Sequence, residues 1–393
     1  MKGGGVIVGE INGRGVRLRV LRPDDVDDLV AGYADPLARR FLPQVPSPFT
    51  REFAESFVRR RAPEMFTEGG AFYAIADPVT DRLLGTIGMD RPVPSRQQAE
   101  LGYWVGPWAR RRGVAVAALG TLTDHVFGTG IQRLELLIHW ENAASQRVAL
   151  AAGYQREGVR RGAISSRDGS RDELLAYARL ATDPPGPIPR LLPDLPGGEL
   201  SDGVVTLRPL NEDDIDFYTE LHTVQDVIDT SVPPEPPTTA EIRHRCTSAE
   251  AQWLAGNRAD LVIVDAETGT PTGGMGLFYQ EPPTGQAMIG YSQLPAWRGR
   301  GYTTRAAKLL SLWVFAETGI ARLIAGTLPT NKGSQRVLEK AGFTQEGYLR
   351  SRLPGPNNTR IDDLQYVLLP QDLLPSQTTH GPDHLITAKT TAG

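Results

Sequence analysis

The stretch that decides the fold occurs twice in this chain. Residues 102–115 read GYWVGPWARRRGVA, and residues 290–303 read GYSQLPAWRGRGYT. Each stretch leads from an alternating, strand-like segment through a turn rich in glycine and arginine into a segment with helical spacing. A helix N-terminus presents unpaired backbone N–H groups and a partial positive charge, so a turn of small residues there can wrap a pyrophosphate. Each stretch therefore predicts a phosphate-binding loop.

The glycines and arginines of this turn have separate roles in the prediction. Glycine allows the main chain to approach a ligand closely, and arginine adds charge-assisted contacts to phosphate oxygens. A single loop of this kind could equally be a solvated turn, but its repetition with the same neighbours favours binding. The loop residues are Arg110, Arg111, Arg112, Gly113, Val114 and Ala115, in the pattern R-x-x-G-x-A, and Arg298, Gly299, Arg300, Gly301, Tyr302 and Thr303 in the second copy.

The repetition extends over most of the chain and predicts its domain organisation. The segment from Leu18 to Asp27 recurs in similar form from Leu207 to Asp216, and the run Ser145–Val148 recurs 189 residues later as Ser334–Val337. Residues 183–203 contain six prolines and four glycines, which is the composition of a linker. We therefore expect a first domain at 1–182, a linker at 183–203, a second domain at 204–370 and a polar, loosely packed tail at 371–393.

Composition argues against several classes of protein. Of the 393 residues, 40% are hydrophobic and 22% are charged, as in ordinary globular proteins, and the formal net charge of -4 gives no general attraction to nucleic acid. No apolar run approaches the roughly 20 residues that cross a bilayer. Cys246 is the only cysteine, and no cluster has the spacing of a metal site. We expect a cytoplasmic monomer or homodimer without nucleic-acid, membrane or metal partners.

Local patterns predict alternating strands and helices. The alternating segment Val16–Leu21 predicts a strand, and the aspartates after Pro23 suit the positive end of a first helix. Thr50 begins a second predicted helix. The segment Val114–Phe127 has helical spacing and is followed by Gly128. Further strands are predicted at 71–76, 83–89 and 99–105.

With these motifs in place, the sequence resembles the GNAT superfamily of acetyl-CoA-dependent N-acetyltransferases, and within it the RimJ/RimL-like enzymes. The motifs that carry the resemblance are 102–104, 110–113, 142–145 and 152–158 in the first copy, and 290–291, 297–302, 331–334 and 340–347 in the second. The resemblance implies an α/β (α+β) architecture of two tandem GNAT folds. Each would be an αβα sandwich whose mixed, largely antiparallel sheet is splayed open between two neighbouring strands.

The resemblance also implies where the acyl donor lies. The pantetheine arm of acetyl-CoA, or of another acyl-CoA, would lie between the splayed strands, which are expected to be the one ending at Val105 and Leu134–Ile138. In the second copy they would be Met288–Gln293 and Leu323–Thr327. The expected cofactor-binding residues, besides the loop residues, are Val105, Asn142, Gln293 and Asn331, with no metal.

Acyl transfer from a thioester to an amine needs a neutral amine, a route for its proton and stabilisation of the departing thiolate. An α-amine, with a pKa of about 8, is easier to deprotonate than a lysine, with a pKa of about 10.4, by about 3 kcal/mol. Glu100 resembles the glutamate that many family members use as a general base through water, and its counterpart in the second copy is Met288. The resemblance implies that Ser145 and Ser334 lie near the thioester sulfur of the cofactor. No covalent intermediate is needed.

Several of these residues have a structural interpretation as well. Asn142 and Ser145 could cap a helix, and Glu100 could be a solvated residue at a strand end. His139 is interpreted as a satisfied polar residue and Glu135 as the partner of an arginine. Tyr154 and Phe343 are interpreted as core aromatics, and Arg59–Arg61 as a solvated helix end.

Three functional hypotheses remain open at this point. In the first, the first copy transfers the acyl group and the second binds CoA in another role. In the second, both copies are active on one acceptor. In the third, the protein is a CoA-binding sensor or scaffold without turnover. The acceptor is a small-molecule amine or a protein N-terminus. Its site would be shaped by the first two helices and the loop around Pro43–Pro48.

Overall fold

The computed structural model describes residues 9–355 and 359–373. Within them the chain forms two compact units, each holding one eight-stranded sheet. The first unit comprises residues 9–192 and 244–257, and the second comprises 193–243 and the described residues from 258 onward. Of the predicted tail, residues 374–393 lie outside the described residues, and Pro370–Leu373 forms a short 3-10 helix.

The first unit contains a mixed sheet in the order β1-β2-β3-β4-β5-β6-β8-β7, in which only the β5–β6 pair is parallel. A π-helical turn at Phe57–Arg61 joins two of its helices. Its elements are β1 (Ile11–Gly13), β2 (Val16–Arg19), α1 (Val26–Tyr33), α2 (Pro36–Phe41), α3 (Arg51–Ser56), α4 (Ala62–Thr67), β3 (Ala71–Ala76), β4 (Leu83–Val93), β5 (Gln98–Val105), α5 (Val114–Phe127), β6 (Arg133–His139), α6 (Ala143–Ala151), β7 (Gln155–Ser165) and β8 (Arg171–Leu180).

The second unit repeats this arrangement, with the sheet order β9-β10-β11-β12-β13-β14-β16-β15 and a single parallel pair, β13–β14. Its elements are β9 (Leu200–Ser201), β10 (Val205–Pro209), α7 (Ile215–Thr223), α8 (Gln225–Asp229), α9 (Thr239–Leu254), β11 (Arg258–Asp265), β12 (Pro271–Glu281), β13 (Gln286–Gln293), α10 (Tyr302–Glu317), β14 (Arg322–Thr327), α11 (Lys332–Ala341), β15 (Thr344–Pro354) and β16 (Arg360–Leu368). From His244 onward, α9 is counted with the first unit.

Both sheets open at their parallel pair. Strands β5 and β6 pair only through three rows, the last joining Glu100 to Glu135, although β5 continues to Val105 and β6 to His139. In the second unit the last paired row of β13 and β14 joins Met288 to Ile324. The splayed sheet predicted from the resemblance is therefore confirmed in both copies.

Helices cover both faces of the first sheet. One apolar cluster joins α5 and α6 to one face, through residues such as Leu119, Leu122 and Tyr154. A second cluster joins α1, α3 and α4 to the opposite face, through residues such as Leu29 and Ala54. Strands buried on both sides read as nearly continuous apolar runs, as β3 does. Tyr154 and Phe343 are buried, as predicted for core aromatics.

The start of the first helix differs from its prediction. Residues Pro23–Asp25 form a 3-10 turn, and α1 begins only at Val26. The Asp25 carboxylate is buried, where it accepts hydrogen bonds from the Arg19 guanidinium at 2.8 Å and from the Arg22 backbone N–H at 2.8 Å. Its main partner is thus a buried cation rather than the helix dipole. Arg208 and Asp214 form the same pair in the second copy.

The chain divides inside the predicted linker, but one segment of the second copy is counted with the first unit. The units divide between Leu192 and Pro193, inside the predicted linker, and Leu192 and Leu195 are buried there. This segment also contributes β9 to the second sheet. Residues 244–257 belong to the first unit although they lie within the second sequence copy.

Two further expectations concern features that would be absent. None of the described helices has the length and apolarity needed to cross a membrane. Across residues 9–355 and 359–373, no group of three or more histidine, cysteine, aspartate or glutamate side chains is arranged to hold a metal ion.

Candidate active site

The N-termini of α5 and α10 are open. Gly113 caps α5 with a φ of 75°, and Gly301 caps α10 with a φ of 81°, a left-handed conformation that favours glycine. Neither helix has a side-chain cap, and among the described residues no atom lies within 4 Å of a Cβ placed on either glycine. The first backbone N–H groups of each helix are therefore not capped by a side chain, as an anion site requires.

The first arginine of each loop has a partner within the protein. Arg110 donates to the Asp35 carboxylate at 2.6 Å and, through Nε, to the Val105 carbonyl at 3.3 Å. Arg298 donates in the same way to Asp226 at 2.6 Å and to the Gln293 carbonyl at 3.1 Å. In both copies this arginine thus ties the loop to the end of the preceding strand.

The remaining loop arginines are exposed. Arg111 and Arg112 lie on the surface of the first loop, and Arg112 contributes to holding the pKa of Asp77 below its usual value, after the backbone N–H groups that bind that carboxylate. Arg300 lies on the surface of the second loop, with its guanidinium 4.8 Å from the centre of the Trp297 ring. These three side chains can contribute charge to a phosphate group.

A polar pair distinguishes the second loop from the first. Gln293 is buried, donates to the Thr272 carbonyl at 2.9 Å and accepts from the Thr303 hydroxyl at 3.0 Å. The corresponding residues of the first copy, Val105 and Ala115, are apolar. Thr303 therefore compensates for the polar strand residue beside it. Tyr302, which replaces a buried Val114, donates a hydrogen bond to Asp265.

Each asparagine caps the helix after the splayed strand. The Asn142 Oδ1 accepts from the Ser145 backbone N–H at 3.1 Å, and Asn331 Oδ1 accepts from Ser334 at 3.0 Å. The capping interpretation is therefore correct for these side-chain oxygens, and it leaves the serine hydroxyls for other contacts.

Those serine hydroxyls meet a tyrosine from the other splayed strand. The Ser145 Oγ lies 2.6 Å from the Tyr103 hydroxyl, and the Ser334 Oγ lies 2.9 Å from the Tyr291 hydroxyl. Sequence reasoning missed these tyrosines, although the recurring Gly-Tyr pair was the available signal. Each pair links the two strands across the opening of the sheet.

Burial keeps these tyrosines protonated. It raises the pKa of Tyr103 and that of Tyr291 well above the ordinary value for tyrosine, and the hydrogen bond to the serine offsets only part of the rise. At neutral pH each hydroxyl is therefore a neutral hydrogen-bond donor.

Glu100 lies at the point where the sheet opens. Ala99 and Leu101 face the core that includes α5, whereas Trp104 packs on Tyr33 of α1 with ring centres 4.8 Å apart. By strand alternation Glu100 and Gly102 share the face of Trp104. A Cβ on Gly102 would meet no described atom within 4 Å, so this face is open beside Glu100.

The equivalent face of the second copy is filled by apolar groups. The strand register aligns Met288 with Glu100, and Phe278, the neighbour of Met288 on β12, with Asp90. The Phe278 ring lies 3.8 Å from a Cβ placed on Gly290. The Arg258 guanidinium covers the same ring, 4.9 Å from its centre.

Two other candidate residues have structural partners. Glu135 is buried and accepts from Arg160 at 2.5 Å, as predicted for a strand residue paired with an arginine. His139 Nε2 lies 3.4 Å from the Asp172 carboxylate. Arg59 and Arg61 form exposed ion pairs with glutamates, as expected for a solvated helix end.

The face beyond Gly102 is aromatic. The Tyr33 ring lies 4.6 Å from that of Phe49, which in turn lies 5.2 Å from the exposed Phe53. Phe49 directly follows the Pro43–Pro48 loop, and Arg167 holds that loop by donating to the Val45 carbonyl at 2.7 Å. The segments predicted to shape the acceptor site therefore form the aromatic side of this open face.

Comparison with known proteins assigns both halves of the chain to one type of domain. The family model described as "Acetyltransferase (GNAT) domain" matches residues 16–155 and 205–344. A Bacillus subtilis protein named "Probable N-acetyltransferase YjcK" is 45% identical over 67 residues, 17% of this chain and 37% of that protein. The Escherichia coli ribosomal-protein-serine acetyltransferase is 32% identical over 101 residues, 25% of this chain and 56% of that protein. The chain thus spans about a third to a half of these two relatives.

Similar chains also occur among solved structures. Mycobacterium smegmatis RimJ in complex with CoA-disulfide aligns with 45% of this chain and 88% of its own, at 23% identity and a TM-score of 0.39. That alignment has the extent of one copy.

Proposed function

The chain belongs to the GNAT acetyltransferase family in two tandem copies, and from that premise we propose that it transfers an acetyl group from acetyl-CoA to a primary amine, with the first copy as the catalytic one. The observation that carries this proposal is the position of Glu100. It stands in the last paired row of the splayed strands and beside the open face at Gly102. Its counterpart Met288 cannot accept a proton.

The loop residues suit the acyl donor. Acetyl-CoA supplies the activated acyl group as a thioester. The N-termini of α5 and α10 suit its pyrophosphate because no side chain caps their N–H groups and the space beside each capping glycine is open. Arg111 and Arg112 in the first loop, and Arg300 in the second, add positive charge at the surface. Arg110 and Arg298 hold the shape of the loops through their aspartate partners.

In the proposed reaction, Glu100 accepts the proton of the acceptor amine, directly or through a water molecule. The neutral amine then attacks the thioester carbonyl, the bond from carbon to sulfur breaks, and the proton that the new amide nitrogen loses passes to the departing thiolate. An α-amine suits this step, because deprotonating it costs about 3 kcal/mol less than deprotonating a lysine. A positioned general base contributes about 10²-fold to 10⁴-fold to such a rate.

Ser145 and Tyr103 are proposed to act on the departing thiolate. Their hydroxyls are 2.6 Å apart at the opening of the sheet, and Tyr103 remains protonated because burial raises its pKa. A hydroxyl pair of this kind can donate a hydrogen bond to the departing sulfur, with Tyr103 orienting the serine.

The experiment that tests the assignment compares three substitutions in the full chain. Glu100→Gln should lower the transfer rate at least about 100-fold with little change in acetyl-CoA affinity. Each of Gly113→Asp and Gly301→Asp places a carboxylate and a strained backbone at one phosphate loop. Gly113→Asp should weaken transfer far more, because its loop belongs to the copy proposed as catalytic. Full activity of the first two variants, with loss only in Gly301→Asp, would assign catalysis to the second copy instead.

A second candidate is that both copies transfer acetyl groups. It is favoured by the Tyr291–Ser334 pair, which repeats the geometry of the first copy. Counting acetyl groups per product molecule by mass spectrometry, with each loop disabled in turn, separates the two. Tight acetyl-CoA binding without transfer to any amine of a broad panel would instead indicate a sensor or scaffold.

The acceptor is proposed to be an α-amine, in a protein N-terminus or a small molecule. The similarity to a relative named as a ribosomal-protein-serine acetyltransferase supports a protein acceptor. The aromatic side formed by Tyr33, Phe49 and Phe53 would contact the group next to the amine. A panel of peptides and small amines, ranked by kcat/KM, tests this choice.

A further inference from the structure

Residues 244–257 lie in the second sequence copy but belong to the first unit. They comprise most of α9 and the turn that follows it. Leu254 is buried in the same apolar cluster as Leu150 of α6 and Tyr177 of β8. A Cβ on Gly256 would lie 2.9 Å from the Leu191 side chain. The first unit is therefore built from more than its own repeat.

Two contacts of this segment reach the residues around the candidate site. The centre of the His244 ring lies 4.7 Å from that of Trp140, and Glu250 Oε1 accepts from Arg147 Nε at 2.6 Å. Trp140 precedes Asn142 by two residues, and Arg147 follows Ser145 by two residues. The segment thus contacts the chain on both sides of the serine.

The sheet holds the same turn from within. The buried Gln146 side chain donates to the Trp140 carbonyl at 2.8 Å and accepts from the Tyr177 hydroxyl at 3.3 Å. Gln146 binds the backbone of Trp140, whereas His244 contacts its indole ring. The backbone and the ring therefore have separate supports.

The second copy stabilises the same turn in another way. There Gln335 donates to the carbonyls of Leu328 and Pro329, at 3.2 and 3.0 Å, as Gln146 does in the first copy. Pro329 stands in the place of Trp140, and a proline ring restricts φ by its covalent structure. The first copy has no proline at this position, so its turn depends more on packing.

We propose that residues 244–257 are an integral part of the first acetyl-transfer site, with His244 and Glu250 as positioning residues that hold Asn142 and Ser145 through Trp140 and Arg147. The functional consequence rests on the function proposed above. A small displacement of a reacting group lowers the rate of an oriented reaction steeply, so loss of either contact should reduce transfer. This segment of the second repeat thereby serves the first site whether or not the second copy transfers acetyl groups itself.

Hydrogen exchange of the full chain tests the positioning directly. His244→Ala and Glu250→Arg should each speed amide exchange in residues 139–148 by about twofold to fivefold, because each removes one surface contact. Residues 328–337 of the second copy should exchange as before and serve as the internal control. Arg336→Glu, which changes the exposed counterpart of Arg147 on α11, is the matched control variant and should leave residues 139–148 unchanged.

A charge reversal provides a second measurement. Arg147→Glu and Glu250→Arg should each raise the dissociation constant of acetyl-CoA at the first loop by about twofold to fivefold, and the double variant should recover most of the loss. Titrating acetyl-CoA into variants that also carry Gly301→Asp restricts the measured binding to the first loop. The proposal would be overturned if exchange in residues 139–148 were unchanged in both His244→Ala and Glu250→Arg. It would also be overturned if the double variant bound acetyl-CoA no more tightly than either charge-reversal variant alone.

These outcomes are independent of whether the amine acceptor is found. If no amine is acetylated, the proposed function fails, but exchange and acetyl-CoA binding still decide whether the segment positions the turn. If transfer occurs while residues 139–148 ignore His244 and Glu250, only the positioning proposal fails.

Discussion

At the scale of single residues, a buried ion pair contributes to the stability of the first unit. The Arg19 and Asp25 side chains are both almost fully buried, and Asp81 also accepts from Arg19 at 2.9 Å. These hydrogen bonds raise the pKa of the Arg19 guanidinium above its ordinary value, against the effect of burial. Arg19 therefore stays charged and requires its partners.

We expect Asp25→Ala to lower the free energy of unfolding by about 3 kcal/mol, because it leaves a buried guanidinium without its main partner. The matched variant is Asp214→Ala in the second copy, where the side chain of Arg208 is 31% exposed and can be hydrated. Its cost should be smaller, about 1 kcal/mol. Urea unfolding measures both, and equal losses would contradict the role assigned to burial.

Backbone strain distinguishes the two loops at the same scale. Arg111 has a φ of 59°, whereas the corresponding residue of the second loop is Gly299 with a φ of 76°. A residue with a Cβ pays for this conformation, and glycine does not.

Arg111→Gly should therefore stabilise the first unit by up to about 1 kcal/mol, and Gly299→Arg should destabilise the second by about 1 kcal/mol. Thermal unfolding of both variants beside the parent protein tests this. A lower melting temperature for Arg111→Gly would show that the arginine side chain contributes more than the strain costs.

At the scale of elements, a pair of hydroxyls joins one splayed strand to the helix that follows the other. Beyond Glu100 the ladder between β5 and β6 ends, and the Tyr103 hydroxyl instead reaches Ser145 on α6. This single contact positions a candidate catalytic hydroxyl while it leaves the opening free.

Tyr103→Phe should lower kcat at least about tenfold, because a lost hydrogen bond to a reacting group costs about 1.4 kcal/mol or more. The KM for acetyl-CoA should change little, since the phosphate loop is untouched. Tyr291→Phe is the matched variant in the second copy and should reduce transfer less. The reverse order of effects would point to the second copy as the main catalyst.

At the scale of the whole molecule, buried tyrosines limit stability in alkali. Burial raises the pKa of Tyr73 to about 12 and that of Tyr177 to about 12, and raises those of Tyr103, Tyr154 and Tyr291 further. Above a pH of about 10 an unfolded chain loses these protons while the folded chain keeps them.

The contribution of these tyrosines to the free energy of unfolding should therefore be constant up to a pH of about 10 and fall as the pH rises toward about 12, because the unfolded state binds fewer protons there. Urea unfolding across this range, with tyrosinate absorbance followed in parallel, measures the effect. Tyr73→Phe should flatten the dependence. A stability that does not change above a pH of about 10 would mean that these tyrosines are not protected by burial.

Much of the molecule could be predicted from the sequence, because the evidence is local and occurs twice. The helix predicted at Val114–Phe127 has those bounds as α5, since its apolar spacing and flanking glycines are contained in the segment itself. The loop glycines were recognisable for the same reason. The contrast between Glu100 and Met288 followed from aligning the copies, and the strand register confirms their equivalence. The roles proposed for these residues remain predictions.

What the sequence by itself determined is the two-copy fold, the glycine turns and the acidic residue present in only one copy, because backbone preference and periodicity act between near neighbours. Only the tertiary structure decided which distant groups meet: Arg110 with Asp35, Tyr103 with Ser145, and residues 244–257 with the first unit. A guanidinium in a loop predicted to bind phosphate can pair with a ligand or with a carboxylate 75 residues away. The local sequence pattern is the same in both cases. Burial and packing of the folded chain select the partner, since they determine which groups lose water together.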